Sequence, residues 1–508
     1  MTNIGKDFLA DALLRHNYLP FQRRLKEELP PIFSTEMLKK DIAESLSLID
    51  YKRAKEFQGY DQVEYNLTRF NNINRILSIP HPVSYSRLCI SICENWDKID
   101  YICNNINSQI KPMSHDDGRI IIMNGYNDPS LKFRKTIDNS FGKFYRVNTD
   151  ISNFFHSIYS HAIPWALVGL SEAKKNTKNG WYNDFDYAIR QTKRNETQGI
   201  AIGPATSSII SEILLDSIDK ALSEAGFDFI RYVDDYTCYC ETEEKAQEFI
   251  RTLSKELARY KLTLNIRKTL ITKLPIPIND DWTTELHTKN THADSMNSYQ
   301  VIHFLDFAVR LSKAHPESSV LKYAVAVISK KKFSEIASRD MMHYVLTLAF
   351  HQPALLPALY SLIVRHQSSF LGNDLIINKL ILIVEENAKN HRSDGMCWAI
   401  FYLCLLKAEI PQETLDKVIK TNDVFSILAL YYGGNHNERI VEYCNSLDKQ
   451  DLYELDRHWI LLYQLFFDGT LANPYKDGAF ELLKKQEINF LLPLKNVLPN
   501  NELELLDD

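Results

Sequence analysis

Four residues, Tyr232-Val233-Asp234-Asp235 within the run FDFIRYVDDYTCYC, constrain this chain more than any other feature. Two adjacent carboxylates fall at a reversal between two β-rich apolar stretches, Phe227 to Val233 and Tyr236 to Cys240. Along a strand, neighbouring side chains point to opposite faces. A turn at the Asp pair relaxes that rule and lets both carboxylates reach one edge of a sheet. Hard cations such as Mg²⁺ take oxygen ligands from one or two carboxylates plus substrate phosphates, which such a hairpin tip offers. A solvated turn is the plain alternative, because Asp is a common turn residue.

The chain has 508 residues, enough for two to four domains. Its 45% hydrophobic and 24% charged content is that of a globular protein. No run approaches the length of a membrane span. The start, MTNIGKDFLADALLRHN, lacks the basic and apolar regions of a signal peptide, so a cytoplasmic location is expected. Eight cysteines form no CxxC pair; the nearest groupings, Cys89/Cys93 and Cys238/Cys240, read as small buried hydrophobes, and a reduced compartment fits. A formal net charge of -6 argues against a surface coated for non-specific duplex binding, while leaving room for a local basic groove.

Residues 1–75 read as a helical, polar N-terminal extension broken by Pro30-Pro31. From about 118 the character changes: GRIIIMNGY, Lys132-Phe133-Arg134-Lys135 and KFYRVNTDI read as short strands. Helices alternate with them up to about 275, which predicts an α+β unit over 76–275 with helices packed on a small antiparallel sheet. The polar stretch 276–298 reads as a linker. Residues 299–508 show successive amphipathic helices without a strict repeat, a HEAT-like or irregular solenoid.

A further carboxylate, Asp150, ends the strand-like segment FYRVNTD, five residues before the aromatic Phe155. Alone it reads as a helix cap. Together with Asp234 and Asp235 it completes a constellation suited to two cations, which activate an attacking hydroxyl and stabilise a leaving pyrophosphate. Between these carboxylates, Gln198, Gly199 and Gly203-Pro204 form a tight backbone at a helix start, where glycine permits close approach of a nucleotide; an ordinary Gly-Pro turn before a helix is the alternative.

Asp150 with Phe155, Gln198-Gly199 with Gly203-Pro204, the YVDD run, and Lys268 in NIRKT resemble, in order and spacing, four motifs of reverse transcriptases. The resemblance covers about 75–275, a fingers-and-palm core. It implies that Asp150, Asp234 and Asp235 are metal ligands for Mg²⁺ (or Mn²⁺), assisted by the Ile151 carbonyl. It also implies that Phe155 is a steric gate favouring deoxynucleotides, that Gln198 and Gly199 line the nucleotide pocket, and that Lys268 acts on the triphosphate. Lys132 and Arg134 resemble triphosphate-binding residues of the fingers, with exposed strand charges as the alternative.

A narrower likeness lies in DISNFFHSIYSHAIPWALVGLSEAKKN (150–176), EELPPIFST (27–35) and the long helical C-terminal region. These are similar to the abortive-infection (Abi) and defence-associated bacterial reverse transcriptases. That resemblance implies an antiphage role and DNA synthesis from dNTPs without a template. It further implies priming from a tyrosine hydroxyl, a single-stranded DNA product attached to the protein, and homo-oligomers. Tyr18, in the polar stretch LLRHNYLPFQRR, is the first candidate primer, followed by Tyr51 and Tyr60. The alternatives are a conventional RNA-templated reverse transcriptase and an inactive helical scaffold with a vestigial palm.

Overall fold

The computed structural model describes residues 4–20, 28–69, 73–122, 129–177, 179–278, 280–290, 294–365, 370, 374–434, 436–494 and 497. At its centre is an antiparallel sheet ordered β4-β5-β3-β6, with β3 at Tyr145–Asp150, β4 at Phe229–Tyr232, β5 at Asp235–Cys240 and β6 at Leu270–Lys273. The alternation of the strands decides which face is covered. Val147, Phe229, Arg231, Tyr236 and Cys238 point one way and are buried under the helices Ala205–Glu224 and Glu243–Arg259. Phe249 of the second helix meets Phe227 and Phe229 at 5.3 and 6.2 Å between ring centroids. Burying each such ring contributes about 1.5–3 kcal/mol. Asn148, Asp150, Asp235 and Thr237 occupy the other face by the same period of two.

Ahead of this sheet, β1 (Gln62–Thr68) and β2 (Asn74–Pro80) form an antiparallel pair. This corrects the helical reading of residues 1–75, and a boundary at 75/76 cuts through the pair. The physical reason is the alternation of Val63 and Tyr65 with outward neighbours: both are fully buried, and Glu64 between them is exposed. A second correction concerns Lys132-Phe133-Arg134-Lys135, which lies in the helix Pro129–Ser140 and not in a strand. The expected strand at GRIIIMNGY is likewise absent over its described residues.

The stretch 276–298 contains the helix Asp281–Lys289, anchored by buried Leu286, and a two-residue strand Ser295–Met296 that pairs in parallel with Lys332–Phe333. Beyond it the chain is a helical array. Its most enclosed member, Ser393–Leu405, is buried along its whole length, between the helices Asp374–Lys389 and Val424–Tyr432 and against β1. The array therefore folds back onto the N-terminal strand pair. Among the described residues no helix is long and apolar enough to cross a membrane.

Candidate active site

The β3–β5 register sets Asp150 directly opposite Asp235. Side chains so paired have Cβ atoms about 4.5–5.5 Å apart. Val233 and Asp234 form the two-residue turn between β4 and β5, with Tyr232 paired to Asp235 at its base. Three carboxylates thus share one corner of the sheet.

The turn is strained. Val233 holds φ at +58°, a conformation a β-branched residue rarely adopts and one that costs about 1–2 kcal/mol. What maintains it lies underneath. The fully buried Arg231 donates to the Val233 carbonyl at 2.9 Å, to both Glu212 oxygens at 2.8 and 2.9 Å, and to Asp219 at 2.8 Å. Glu212 and Asp219 stand two turns apart on one face of the helix Ala205–Glu224. Burial alone would depress the guanidinium; Asp219 and Glu212 outweigh it and hold Arg231 firmly charged. Asn105 and Tyr236 donate to Asp219 as well, at 2.8 and 3.1 Å. The sequence reading missed Arg231, although the seven-residue spacing of its acidic partners was visible.

Charge is concentrated at the corner. Burial, reinforced by Asp235, pushes the Asp234 carboxyl up to about 6. Asp235 is open to solvent on one side, yet its carboxyl is raised too, by burial of the other side and by Asp150, with Lys268 pulling the opposite way. Lys268, in a single helical turn before β6, donates to Asp150 Oδ2 at 2.6 Å, and that bond raises its own proton affinity. Asp150 Oδ1 is buried without a partner. Among the described residues no three acidic, His or Cys side chains converge on one point in the manner of a closed metal site. The bridge that extends β3 beyond Asp150 runs from Asn265 N to the Asp150 carbonyl and from Ser152 N to the Thr263 carbonyl. Those bonds straddle Ile151 and leave its own carbonyl out of the bridge.

The glycine-bearing segment is laced to the residues after Asp150. Ser160 N donates to the Thr197 carbonyl, Gly199 N to that of Ile158 and Ile200 N to that of Phe155, at 2.9, 2.8 and 3.0 Å. Gln198 is exposed and donates to the His156 carbonyl at 3.2 Å. Phe155 is half-buried beside Phe154. The structure thereby brings Phe155, Gln198 and Gly199 together. Gly199 has φ +79°, and a Cβ there would sit 3.1 Å from the His156 carbonyl oxygen and 3.0 Å from Lys193 Nζ. Gly199→Ala is expected to cost about 1–2 kcal/mol of stability. Thermal melting of the variant checks this, with a fall of a few degrees expected.

Arg134 is exposed on the helix Pro129–Ser140, and the Lys132 side chain lies outside the described residues. Besides Lys268, two further basic residues act on the corner and were not foreseen. Arg69, directly after β1, and Arg75, on β2, both bear electrostatically on Asp234. Burial lowers the Arg69 guanidinium and Asp234 counters it. Their position beside an alternating run, QVEYNLT then NRILSIP, was the signal that could have found them.

Tyr18 is corrected outright as an accessible primer. It is fully buried, stacks on Tyr85 at 3.9 Å, lies parallel to Trp459 at 6.3 Å, and donates to the Pro80 carbonyl at 2.6 Å. Burial holds its hydroxyl protonated. Tyr60 is also buried, beneath the Arg53 guanidinium, whereas Tyr51 is 38% exposed in a segment without regular structure.

Residues 81–308 match the family described as reverse transcriptase (RNA-dependent DNA polymerase). The chain also aligns with a structure of apo telomerase from Candida tropicalis truncated from the C-terminal domain, at 13% identity and a TM-score of 0.31, covering 45% of this chain and 52% of that one. A second structure, of apo telomerase from the same organism, aligns at 14% identity and a TM-score of 0.30, covering 80% of this chain and 69% of that one. The chain thus spans about half the length of the first of these and about two thirds of the second. No curated protein matches it. Asp150, Asp234, Asp235, Gln198 and Lys268 all fall inside the matched span, so the chain carries a reverse-transcriptase domain over residues 81–308.

Proposed function

We propose that the chain is a divalent-metal-dependent DNA polymerase of the abortive-infection type, extending a protein-attached primer with dNTPs in antiphage defence. The observation that carries the polymerase chemistry is the cross-strand pairing of Asp150 with Asp235, next to Asp234 at the turn. The donor set fits a hard cation. Asp150 Oδ1 is buried and unpartnered, and the upward displacement of Asp234 and Asp235 marks negative charge that Lys268, Arg69 and Arg75 only partly offset. Mg²⁺ or Mn²⁺ held by Asp150, Asp234, Asp235 and the Ile151 carbonyl would supply activation of the attacking hydroxyl and stabilisation of pyrophosphate.

The remaining roles belong to the chain itself. Lys268 has a side chain 66% exposed, so it can leave Asp150 Oδ2 and turn to an arriving triphosphate. Arg69 and Arg75 stand ready to hold the same phosphates. Phe155, at the edge of the pocket, disfavours a 2′-hydroxyl. The defence reading is supported by the run 150–176 and by the helical array that follows the palm. With Tyr18 and Tyr60 buried, Tyr51 becomes the first candidate primer. A cytoplasmic homo-oligomer carrying single-stranded DNA completes the proposal.

The test is to incubate the purified chain with Mg²⁺ and labelled dNTPs, without template or primer, and to resolve products on a denaturing gel before and after protease. Label that migrates with the protein until proteolysis is expected, and Tyr51→Phe should abolish it. Incorporation only after RNA and a nucleic-acid primer are supplied would instead establish a conventional templated enzyme.

A further inference from the structure

The first strand of the β1–β2 pair has one edge occupied by β2, and alternate amides on its other edge need partners. Those partners come from the far end of the chain. Asn66 N donates to Ser393 Oγ at 2.8 Å, and Thr68 N donates to Asp394 Oδ2 at 3.0 Å. The Thr68 hydroxyl donates to Asp394 Oδ1 at 2.7 Å, and Asp61 N donates to Asp456 Oδ2 at 2.9 Å. Each acceptor is itself held. Ser393 hydrogen-bonds Asp423, which caps the helix Val424–Tyr432 through Ser426 N at 2.8 Å. Asp456 takes both arms of Arg53 at 2.6 and 2.8 Å and the Tyr475 hydroxyl at 3.0 Å. Asp394 and Asp456 are fully buried.

The opposite strand of the pair touches the nucleotide pocket. Ser78 N, on β2, donates to the Ile202 carbonyl at 2.8 Å, inside the segment that runs from Gln198 to Pro204. Thr68, gripped twice by Asp394, immediately precedes Arg69. An unbroken chain of directional bonds therefore links the array to the pocket: Asp394 and Ser393, then β1, then β2, then Ile202.

We propose that Ser393 and Asp394 are positioning residues for nucleotide binding: by completing the outer edge of β1 they fix the β1–β2 pair, and through it the Gln198–Pro204 segment. Buried alternate side chains set the register of the strand pair, and directional polar bonds at alternate amides hold its outer edge in place. The C-terminal array is then part of the pocket's scaffold, not an appendage to it. As a statement about dNTP binding, this rests on the polymerase reading above. The mechanical link from the array to Ile202 does not.

Amide hydrogen exchange on the full chain, together with steady-state kinetics for dNTPs, tests it. The variants are Thr68→Val and the pair Ser393→Ala with Asp394→Asn. Asp416→Asn, on the array surface beside Arg439, serves as the control. The expected result is faster exchange, by about tenfold or more, in peptides covering 74–80 and 198–204, with the helix Ser298–Ala314 unchanged. KM for dNTP should rise about tenfold while kcat stays within about twofold. A purely structural role would lower kcat and folded fraction together and leave that split absent. Exchange changes confined to 66–69 and 393–395, with 198–204 unaltered, would overturn the proposal. Should the double variant unfold, Thr68→Val, which removes a single hydroxyl bond, decides on the same readout. If the wild-type chain incorporates no nucleotide the polymerase reading falls, and the exchange data still decide whether the array holds the segment.

Discussion

Asp234→Asn is expected to abolish nucleotide incorporation while making the metal-free protein more stable. The loss should be about 10²–10³-fold or more, because the variant removes a carboxylate that would hold the cation on which the reacting phosphates depend. The gain in stability has a separate cause. Burial and Asp235 raise the Asp234 carboxyl from 3.8 to about 6 in the folded chain, so the folded state accommodates the ionised form worse than the unfolded state does. The contribution of this group to stability is therefore full below its unfolded value of 3.8 and is lost as pH rises through about 6. That displacement corresponds to about 3 kcal/mol at neutral pH, discounted to about 1–2 kcal/mol because solvent reaches the side chain. A neutral amide removes the penalty. Thermal melting in chelator, at pH 7.5 and at pH 4, checks the sign: the variant should exceed the wild type at the higher pH and lose most of that advantage at the lower. An unchanged difference between the two pH values would show that like charge at the corner is not its source.

Arg231→Met carries the opposite expectation. The guanidinium is the shared partner of Glu212, Asp219 and the Val233 carbonyl, in a site with no solvent access. Removing it leaves two buried carboxylates without their counter-charge and should cost about 3–5 kcal/mol. Replacing Glu212 and Asp219 by apolar residues at the same time should recover much of that loss, since a buried ion pair is a weak source of net stability. Activity should not recover with it. Val233 would still lack the donor that holds its φ at +58°, and Asp234 and Asp235 would lose their setting. Denaturant melts and incorporation rates on the single and triple variants separate the two effects. Recovery of activity in the triple variant would mean that the turn holds itself.

The corner was legible from the sequence because its chemistry and its periodicity coincide. The runs FDFIRYVDD and KFYRVNTD are rich in aromatic and β-branched residues and end on the carboxylates, so the strands and the Asp-bearing ends could be read together. Arg231 was in plain view but read only as a strand residue. Its role depends on Glu212 and Asp219, which a helix brings from earlier in the chain. The β1–β2 pair was missed because its alternation is short and follows helical, polar sequence. Its outer edge is satisfied by Ser393 and Asp394, partners that local pattern cannot reveal. Lys132 to Lys135 was misread for the converse reason: four residues with one aromatic fit a strand as well as a helix turn, and length alone arbitrates. Tyr18 has polar neighbours in sequence, yet its ring is enclosed by Tyr85 and Trp459. Burial made by contacts from the far end of the chain leaves no mark on the residues beside it.

The measurement closest to the central claim is incorporation of labelled dNTPs by the wild-type chain and by Asp150→Asn, at matched folded fraction, across a Mg²⁺ titration. Synthesis that saturates with Mg²⁺ in the wild type and is absent from Asp150→Asn at every concentration is the expected result. Equal synthesis by the two proteins would contradict the assignment of Asp150, Asp234 and Asp235 as the polymerase centre.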